Sequence, residues 1–367
     1  MVFLRAGGSG GIIVGMLDRA GYRIVDANFN RAREALRVME EYGRFALNSG
    51  ALSERAKQLR HALCGAVGGL DAGRLIASRD TLGDVGVGQK VKGQLERATL
   101  RDSFTAAARR LTEALRAMAE TVRVEDRAVA EGIERLRYDA YTLEKDIVLF
   151  SEPVERFDRV RLYVLITSNL PAEVLSLASK CATGGADCIQ LRAKEIPDDR
   201  LFALAVEFVE ICREMGSLSV INDRADIAAA AGADGVHLGR NDLPVEQVRR
   251  LQLSPLIIGR STHTMPELDE TVRALPGYAA LGCVFPTTTK PGIEIAGLDY
   301  VREGLRRLAD TGISHVAIGG ITDKNVEQVI RAGARRVAVG AAVAKAADPA
   351  EACRRLRDKI VKITDES

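Results

Sequence analysis

Asp223 and Asp242 are the first residues on which chemistry can be argued. Each closes a short apolar run within V-I-N-D-R-A-D-I-A-A-A-A-G-A-D-G-V-H-L-G-R-N-D-L-P, residues 220–244. Residues 219–221 and 235–238 read as buried strands, with Asn222 and Asp223 past the first and His237 and Asp242 at or beyond the end of the second. Between them, residues 226–231 read as a helix stopped by Gly232. In a parallel α/β fold such strand ends share one rim, so carboxylates distant in sequence can face one ligand. Two acids so placed are oxygen ligands of the kind Mg²⁺ takes. An Asp after a strand is also a common N-cap of the next helix, and either acid taken alone reads that way.

The elements that must position these residues recur regularly. Strand-like runs fall at 162–166, 188–191, 219–221, 235–238, 256–258, 278–281, 315–318 and 336–339, each followed by a helix-like stretch. Eight βα units of this size are what an α/β fold of the (β/α)₈ TIM-barrel kind requires. A doubly wound open sheet is the alternative, but no G-x-G-x-x-G follows the first strand. On a barrel, the second strand end presents Gln190, Arg192 and Lys194, and the fifth presents Ser261, Thr262 and His263. The sixth carries F-P-T-T-T-K-P-G with Thr287, Thr289 and Lys290, and the last two offer Gly319-Gly320 and Gly340-Ala341.

That rim divides into two anion sites. Arg192, Lys194 and Lys290, with two acids, suit a metal-bound pyrophosphate. Gly-rich turns after the seventh and eighth strands expose backbone N–H groups, which suits a phosphomonoester. A rim holding both suggests an enzyme that joins two phosphorylated small molecules. Any one Gly or Lys among them is more often a turn residue or a solvated side chain.

Length and composition agree with a soluble two-domain protein. The chain has 367 residues, 47% of them hydrophobic, no Trp and a formal charge of +2, which argues against nucleic-acid and membrane partners. Its six cysteines form no C-x-x-C pair and sit mostly in apolar runs, so they read as reduced, buried thiols of a cytoplasmic protein. The glycine cluster at residues 7–11 lacks the G-K-[ST] of a phosphate loop, so residues 1–20 read as a flexible leader, with Met16 an alternative start.

Residues 21–150 read as all-helical, followed by a polar, Pro-containing linker at 151–160 and the barrel from 161 to 367. Asn28 or Asn30 is the expected N-cap of a first long helix that buries Leu36, Met39 and Phe45. Further helices are expected at 52–67 and 100–123. The pattern R-x-x-E-A-L-R-x-M-x-E occurs at 31–41 and again at 110–120, which predicts a packed pseudo-symmetric pair of helices. Between them, residues 78–86 carry Arg79, Asp80 and Asp84 among glycines. Such residues suit a metal and a phosphate, but ordinary turn chemistry accounts for them by itself.

The barrel region resembles the thiamine phosphate synthase family. Q-L-R-A-K, I-N-D-R-A-D, G-A-D-G-V-H-L-G-R-N-D-L-P, G-R-S-T-H-T, F-P-T-T-T-K-P-G and A-I-G-G-I occur in that family's order. The helical region is similar to hydroxymethylpyrimidine phosphate kinases fused to such synthases, through D-A-N-F-N-R-A-R-E-A-L-R-V-M-E-E-Y-G-R-F and R-D-T-L-G-D-V-G. The resemblance implies condensation of hydroxymethylpyrimidine diphosphate with thiazole phosphate to thiamine phosphate and pyrophosphate. It places Mg²⁺ on Asp223 and Asp242, and the diphosphate on Arg192, Lys194, Asn222, Ser261 and Lys290. Gln190, His237, Thr287 and Thr289 would lie near the pyrimidine or the thiazole, with Gly320, Gly340 and Ala341 on the thiazole phosphate. For the helical region it implies ATP as co-substrate, with Asn28, Asn30, Arg31, Arg79, Asp80 and Asp84 as candidate site residues.

The chain departs from that pattern at three points. Ala193 stands where an acid is frequent, Arg240-Asn241 replaces a more usual Gln-Glu, and Ala341 stands in place of Ser. Two alternatives remain: a non-catalytic helical module for oligomerisation or regulation, and a barrel that is a thiazole tautomerase. Retention of Asp223, Asp242, Arg192 and Lys290 weighs against the latter, because a tautomerase has no pyrophosphate to release. The chain is compatible with a homo-oligomer.

Overall fold

Short runs rich in Val, Ile and Leu, separated by glycine turns and amphipathic stretches, form parallel strands by passing the chain back through a helix each time. The computed structural model describes residues 17–86, 97–251, 256–287 and 294–365, and the chain divides after Ile147 into two compact units.

The first unit is helical: α1 (Arg19–Glu41), α2 (Gly50–Val67), α3 (Ala72–Ala77), α4 (Leu100–Val122) and the start of α5 (Arg127–Phe157). The expected echo is physical, since α1 and α4 pack against each other and bury Leu36, Met39, Leu115 and Met118. Three expectations change. The N-cap of α1 is Asp18, whose carboxylate accepts from the Gly21 N–H at 2.8 Å. Asn28 and Asn30 are mid-helix and donate back to the carbonyls of Ile24 and Asp26. Leu17 is buried as well, so residues 17–20 belong to the fold rather than to a leader; residues 1–16 lie outside the described residues. Phe45 is 68% exposed, because the helix widens to π geometry over Tyr42–Ala46 and turns that ring outward.

The expected linker is also corrected. Helix α5 runs through Pro153 to Phe157. Phe150, Val154 and Phe157 are buried at helical spacing, and their packing outweighs the ~3 kcal/mol that an interior proline costs. Of the cysteines, Cys64 is exposed and the other five are buried, all as free thiols.

The second unit is a closed parallel barrel, its strands in sequence order. They are β1 (Leu162–Thr167), β2 (Cys188–Arg192), β3 (Leu218–Asn222), β4 (Gly235–Leu238), β5 (Ile257–Thr262), β6 (Tyr278–Leu281), β7 (Ser314–Ile318) and β8 (Val337–Val339). The first connections carry α6 (Pro171–Thr183), α7 (Asp198–Glu214), α8 (Ala225–Ala230), α9 (Val245–Arg250) and α10 (Met265–Ala274). The later ones carry α11 (Gly297–Leu308), α12 (Val326–Arg331), α13 (Ala341–Ala344) and α14 (Pro349–Asp365). Strand β5 runs farther than its apolar run, through Ser261 and Thr262. Outward residues such as Val164, Ile189, Val236 and Val337 make the main core under the helices. Among the described residues, no helix is long and apolar enough to cross a membrane.

His315 on β7 sets an acid limit on stability. Its Nε2 accepts the Arg335 N–H at 3.0 Å, and burial, aided by Arg336, Arg335 and Arg161, pushes its pKa from 6.5 down to about 3. The folded ring stays neutral where the unfolded ring takes a proton, so stability is full above pH 6.5 and falls on acidification towards pH 3. The slope is at most about 1.4 kcal/mol per pH unit, and lower to the extent that solvent screens the partly accessible ring. Thermal melts of His315→Gln between pH 7 and 4 are expected to flatten relative to wild type. Parallel curves would remove this residue from the account.

Candidate active site

The inner face of the barrel changes character along its strands. At one level Tyr163, Cys188, Val220, Ile257 and Tyr278 pack with Phe157 into a buried cluster. Further along the same inward-facing rows stand Gln190, Asn222, His237 and Ser261, consistent with the two-residue period of a strand. Gly259 makes room for this arrangement: a Cβ there would lie 2.0 Å from Cζ of Tyr278. The Tyr278 ring stacks on Phe157 at a centroid distance of 4.1 Å, which fixes its hydroxyl.

These side chains form one continuous chain of hydrogen bonds. Ser261 Oγ lies 2.8 Å from His237 Nε2, and His237 Nδ1 lies 2.9 Å from the Tyr278 hydroxyl. Tyr278 meets the Tyr163 hydroxyl at 3.0 Å, Tyr163 donates to Gln190 Oε1 at 3.2 Å, and Gln190 Nε2 donates to Asn222 Oδ1 at 2.9 Å. Proton counting gives the chain a direction. Tyr163 spends its proton on Gln190, so Tyr278 must donate to Tyr163 and accept from His237 Nδ1–H. His237 thereby carries a proton on Nδ1, and the Asn222 amide keeps its N–H groups for a ligand. Burial pushes both Tyr163 and Tyr278 well above the ordinary phenol range, so neither supplies a charge.

Two adjoining cavities open over this layer. One, of about 270 Å³, is lined by Gln190, His237, Ser261, Thr287, Gly320 and Gly340, with Ala341 beside them. The other, of about 320 Å³, is lined by Arg192, Lys194, Asp223, Arg240, Asp242 and Glu267. Arg192, Asn222, His237, Ser261 and His263 line both. Every barrel residue expected to touch a ligand therefore lines one or both cavities, except Thr289 and Lys290, which lie outside the described residues.

Neither acid caps a helix. The N-cap positions of α8 and α9 are Arg224 and Pro244. Asp223 instead sits at φ +64°, its N–H donating to the His237 carbonyl at 2.8 Å and its carboxylate 2.9 Å from Lys194 Nζ. Left-handed backbone at a non-glycine residue costs ~1 kcal/mol or more and is held only where the surroundings enforce it. Asp242 accepts the Gly239 N–H at 2.6 Å.

Burial and the neighbouring Asp223 carboxylate hold the Asp242 carboxyl above the usual range. At Asp223 burial is outweighed by Lys194 and Asp242, and its carboxyl lies below. Like charges held this close resist joint ionisation, and a divalent cation relieves them. Among the described residues no group of three or more His, Cys, Asp or Glu side chains converges. Two neighbouring carboxylates have the donor chemistry Mg²⁺ takes, since that ion accepts one or two carboxylates and completes its shell with water and phosphate oxygens. Arg192 Nε is buried without a hydrogen-bond partner among the described residues, a donor waiting for an anion.

In the turn that follows β7, Gly319 and Gly320 adopt φ +110° and +62°. Asn325 clamps the turn, donating to the Gly320 carbonyl at 3.0 Å and accepting from the Thr322 N–H at 2.7 Å. Gly340 is the N-cap of α13 and has no side chain to satisfy that helix's first N–H groups. Sequence reasoning missed Tyr163 and Tyr278, which read as strand core, and Glu267, which bears on the site only through tertiary contact, while Arg240 stood out only as a departure from the family pattern.

In the helical unit, Arg79 grips Asp26 through Nε and Nη2, each at 2.8 Å. Arg31 donates to Asn28. Asp80 and Asp84 accept from Gly83 and Gly86 within their own turn. Each of the six candidates thus has a structural role.

A family model described as thiamine monophosphate synthase matches residues 162–343, and one described as the ThiD2 family matches residues 23–146. The thiamine-phosphate synthase of Synechocystis sp. is 37% identical over 342 residues, 93% of this chain and 96% of its own length. That of Rhodopirellula baltica is 38% identical over 334 residues, 89% of each chain. A solved thiamine phosphate pyrophosphorylase from Pyrococcus furiosus is 32% identical with a TM-score of 0.51, covering 56% of this chain and 96% of its own.

Proposed function

The chain belongs to the thiamine-phosphate synthase family, and from that premise we propose that its barrel joins hydroxymethylpyrimidine diphosphate to thiazole phosphate. The observation that carries this reading is the strained Asp223 beside Asp242 and Lys194, in a cavity that adjoins a second one ending in glycine turns. A diphosphate fits the first cavity and a pyrimidine with its thiazole partner the second.

The reaction breaks the bond between the pyrimidine's methylene carbon and the diphosphate oxygen, and the electron pair leaves with pyrophosphate. The aminopyrimidine ring stabilises the cation left behind, and the thiazole nitrogen lone pair closes the new C–N bond. Mg²⁺ held by Asp223 and Asp242 would supply charge neutralisation to the leaving oxygens. Arg192 and Lys194 add positive charge where negative charge grows, a role the family resemblance extends to Lys290, and Asn222 donates to the same group with Ser261 beside it. Gln190 and His237, locked by the two tyrosines, orient the pyrimidine. Thr287 borders the thiazole, and backbone N–H groups at Gly320, Gly340 and Ala341 receive its phosphate. No protein nucleophile takes part.

The helical unit would supply the diphosphate by phosphorylating hydroxymethylpyrimidine phosphate with ATP, a reading supported by its family match at residues 23–146. A non-catalytic module is favoured by the structural roles of Asp26, Asn28, Arg79, Asp80 and Asp84. Incubating the full chain with Mg²⁺, thiazole phosphate and hydroxymethylpyrimidine diphosphate should release thiamine phosphate and pyrophosphate in equal amounts. Replacing the diphosphate by the monophosphate plus ATP should give the same product. Product in the first reaction alone would leave the helical unit a module, and product in neither would overturn both assignments.

A further inference from the structure

Arg240 lines the polar cavity two residues before Asp242, yet its guanidinium pairs with neither acid: Nη1 lies 3.0 Å from Glu267 Oε1. We propose that Arg240 is a transferable cation, docked on Glu267 when the cavity is empty and moved onto the terminal phosphate of the diphosphate when it is filled. The proposal rests on the diphosphate reading of that cavity.

Three features allow the exchange. Glu267 does not depend on Arg240, because its Oε2 accepts the His263 N–H at 2.8 Å and lies 3.2 Å from His263 Nδ1. It also stands in the first turn of α10, where helix N–H groups favour a carboxylate, so departure of the arginine leaves no orphaned charge. The backbone beneath Arg240 is pinned: Asp242 accepts from Gly239 N–H and donates its own N–H to the Gly239 carbonyl, so the movement is confined to the side chain. That side chain is 71% exposed, which keeps its rotamers free, and its guanidinium fork matches two phosphate oxygens better than one carboxylate oxygen.

Charge supplies the drive. Within this cavity Arg192, Lys194 and Arg240 face Asp223, Asp242, Glu267 and Glu294, a near-balanced set. Entry of a diphosphate brings a surplus of negative charge, which favours the cation that can move at least cost. The same contact holds pyrophosphate after the C–O bond breaks, so Arg240 sets product release as well as substrate affinity.

The test is inhibition by inorganic pyrophosphate, with steady-state constants for both substrates, in Arg240→Gln and Glu267→Gln. Arg240→Gln should raise the inhibition constant and the KM for the diphosphate by about 5–20-fold, a charged hydrogen bond discounted for exposure, with a smaller change in kcat and in the KM for thiazole phosphate. Arg240→Lys should recover part of the loss. Glu267→Gln, once its melt shows it folded, should shift the pyrophosphate constant the opposite way, because the arginine is released from its dock. Constants within twofold of wild type in Arg240→Gln, or equal losses for both substrates, overturn the proposal while leaving the synthase reading intact. Wild-type chain that Mg-pyrophosphate does not inhibit overturns both.

Discussion

Asp223→Asn is expected to lower the rate of thiamine phosphate formation by about 10²–10³, the scale on which a single group that stabilises charge in the transition state is worth its place. The substitution isolates charge from fold. Asp223 occupies φ +64°, a region that Asn tolerates nearly as well as Asp, so the backbone that turns out of β3 keeps its path and its bond to the His237 carbonyl. What is lost is a negative oxygen facing Asp242 and Lys194. An amide binds Mg²⁺ weakly, and Lys194, freed of its partner, adds repulsion to the incoming cation. Raising Mg²⁺ should therefore recover only part of the rate. Initial rates across a Mg²⁺ titration, beside a thermal melt, give the answer. A variant that matches wild type at ordinary Mg²⁺ would show that Asp223 serves the loop alone. Asp223→Ala is the poorer test, since it adds left-handed strain to the loss of charge.

The contrast between Asp223 and its sequence signature shows what was legible and why. Strand ends could be located because Val- and Ile-rich runs stop abruptly at Asn222 and Leu238. The capping alternative for Asp223 and Asp242 could not be dismissed from sequence, because a cap is a matter of backbone direction. Strand β5 extends beyond its apolar run for a related reason. Gly259 interrupts the apolar pattern, yet the glycine is there because a ring from β6 occupies the space of its side chain. Tyr163 and Tyr278 passed for apolar core on the same grounds: a strand tyrosine shows its ring in the pattern but not the partner of its hydroxyl. In the helical unit, Asn28 and Asn30 carry a cap's signature without being caps, because the same side chains that cap a helix can turn back onto carbonyls within one.

Gly320→Ala should cost both stability and thiazole phosphate binding, through a contact visible only in three dimensions. Gly320 stands at φ +62°, and a Cβ there would lie 2.3 Å from the Pro286 carbonyl oxygen and 2.6 Å from that of Phe285. Those atoms are backbone of the segment leaving β6, so relief means displacing the chain that carries Thr287 into the cavity. Left-handed strain and the forced shift together are expected to cost about 2–4 kcal/mol, the size of a severe single substitution. For a unit of this size that corresponds to a fall in Tm of roughly 4–12 °C. The displaced turn should raise the KM for thiazole phosphate about 10–100-fold, since a 1 Å error in a positioning element is worth that much, and raise the KM for the diphosphate far less. Gly216→Ala is the control: Gly216 has φ +76° with nothing within 4 Å of the added methyl, so it carries the backbone penalty without the collision. If Gly320→Ala loses no more stability than Gly216→Ala and binds thiazole phosphate normally, the glycine turn after β7 is not the phosphate seat.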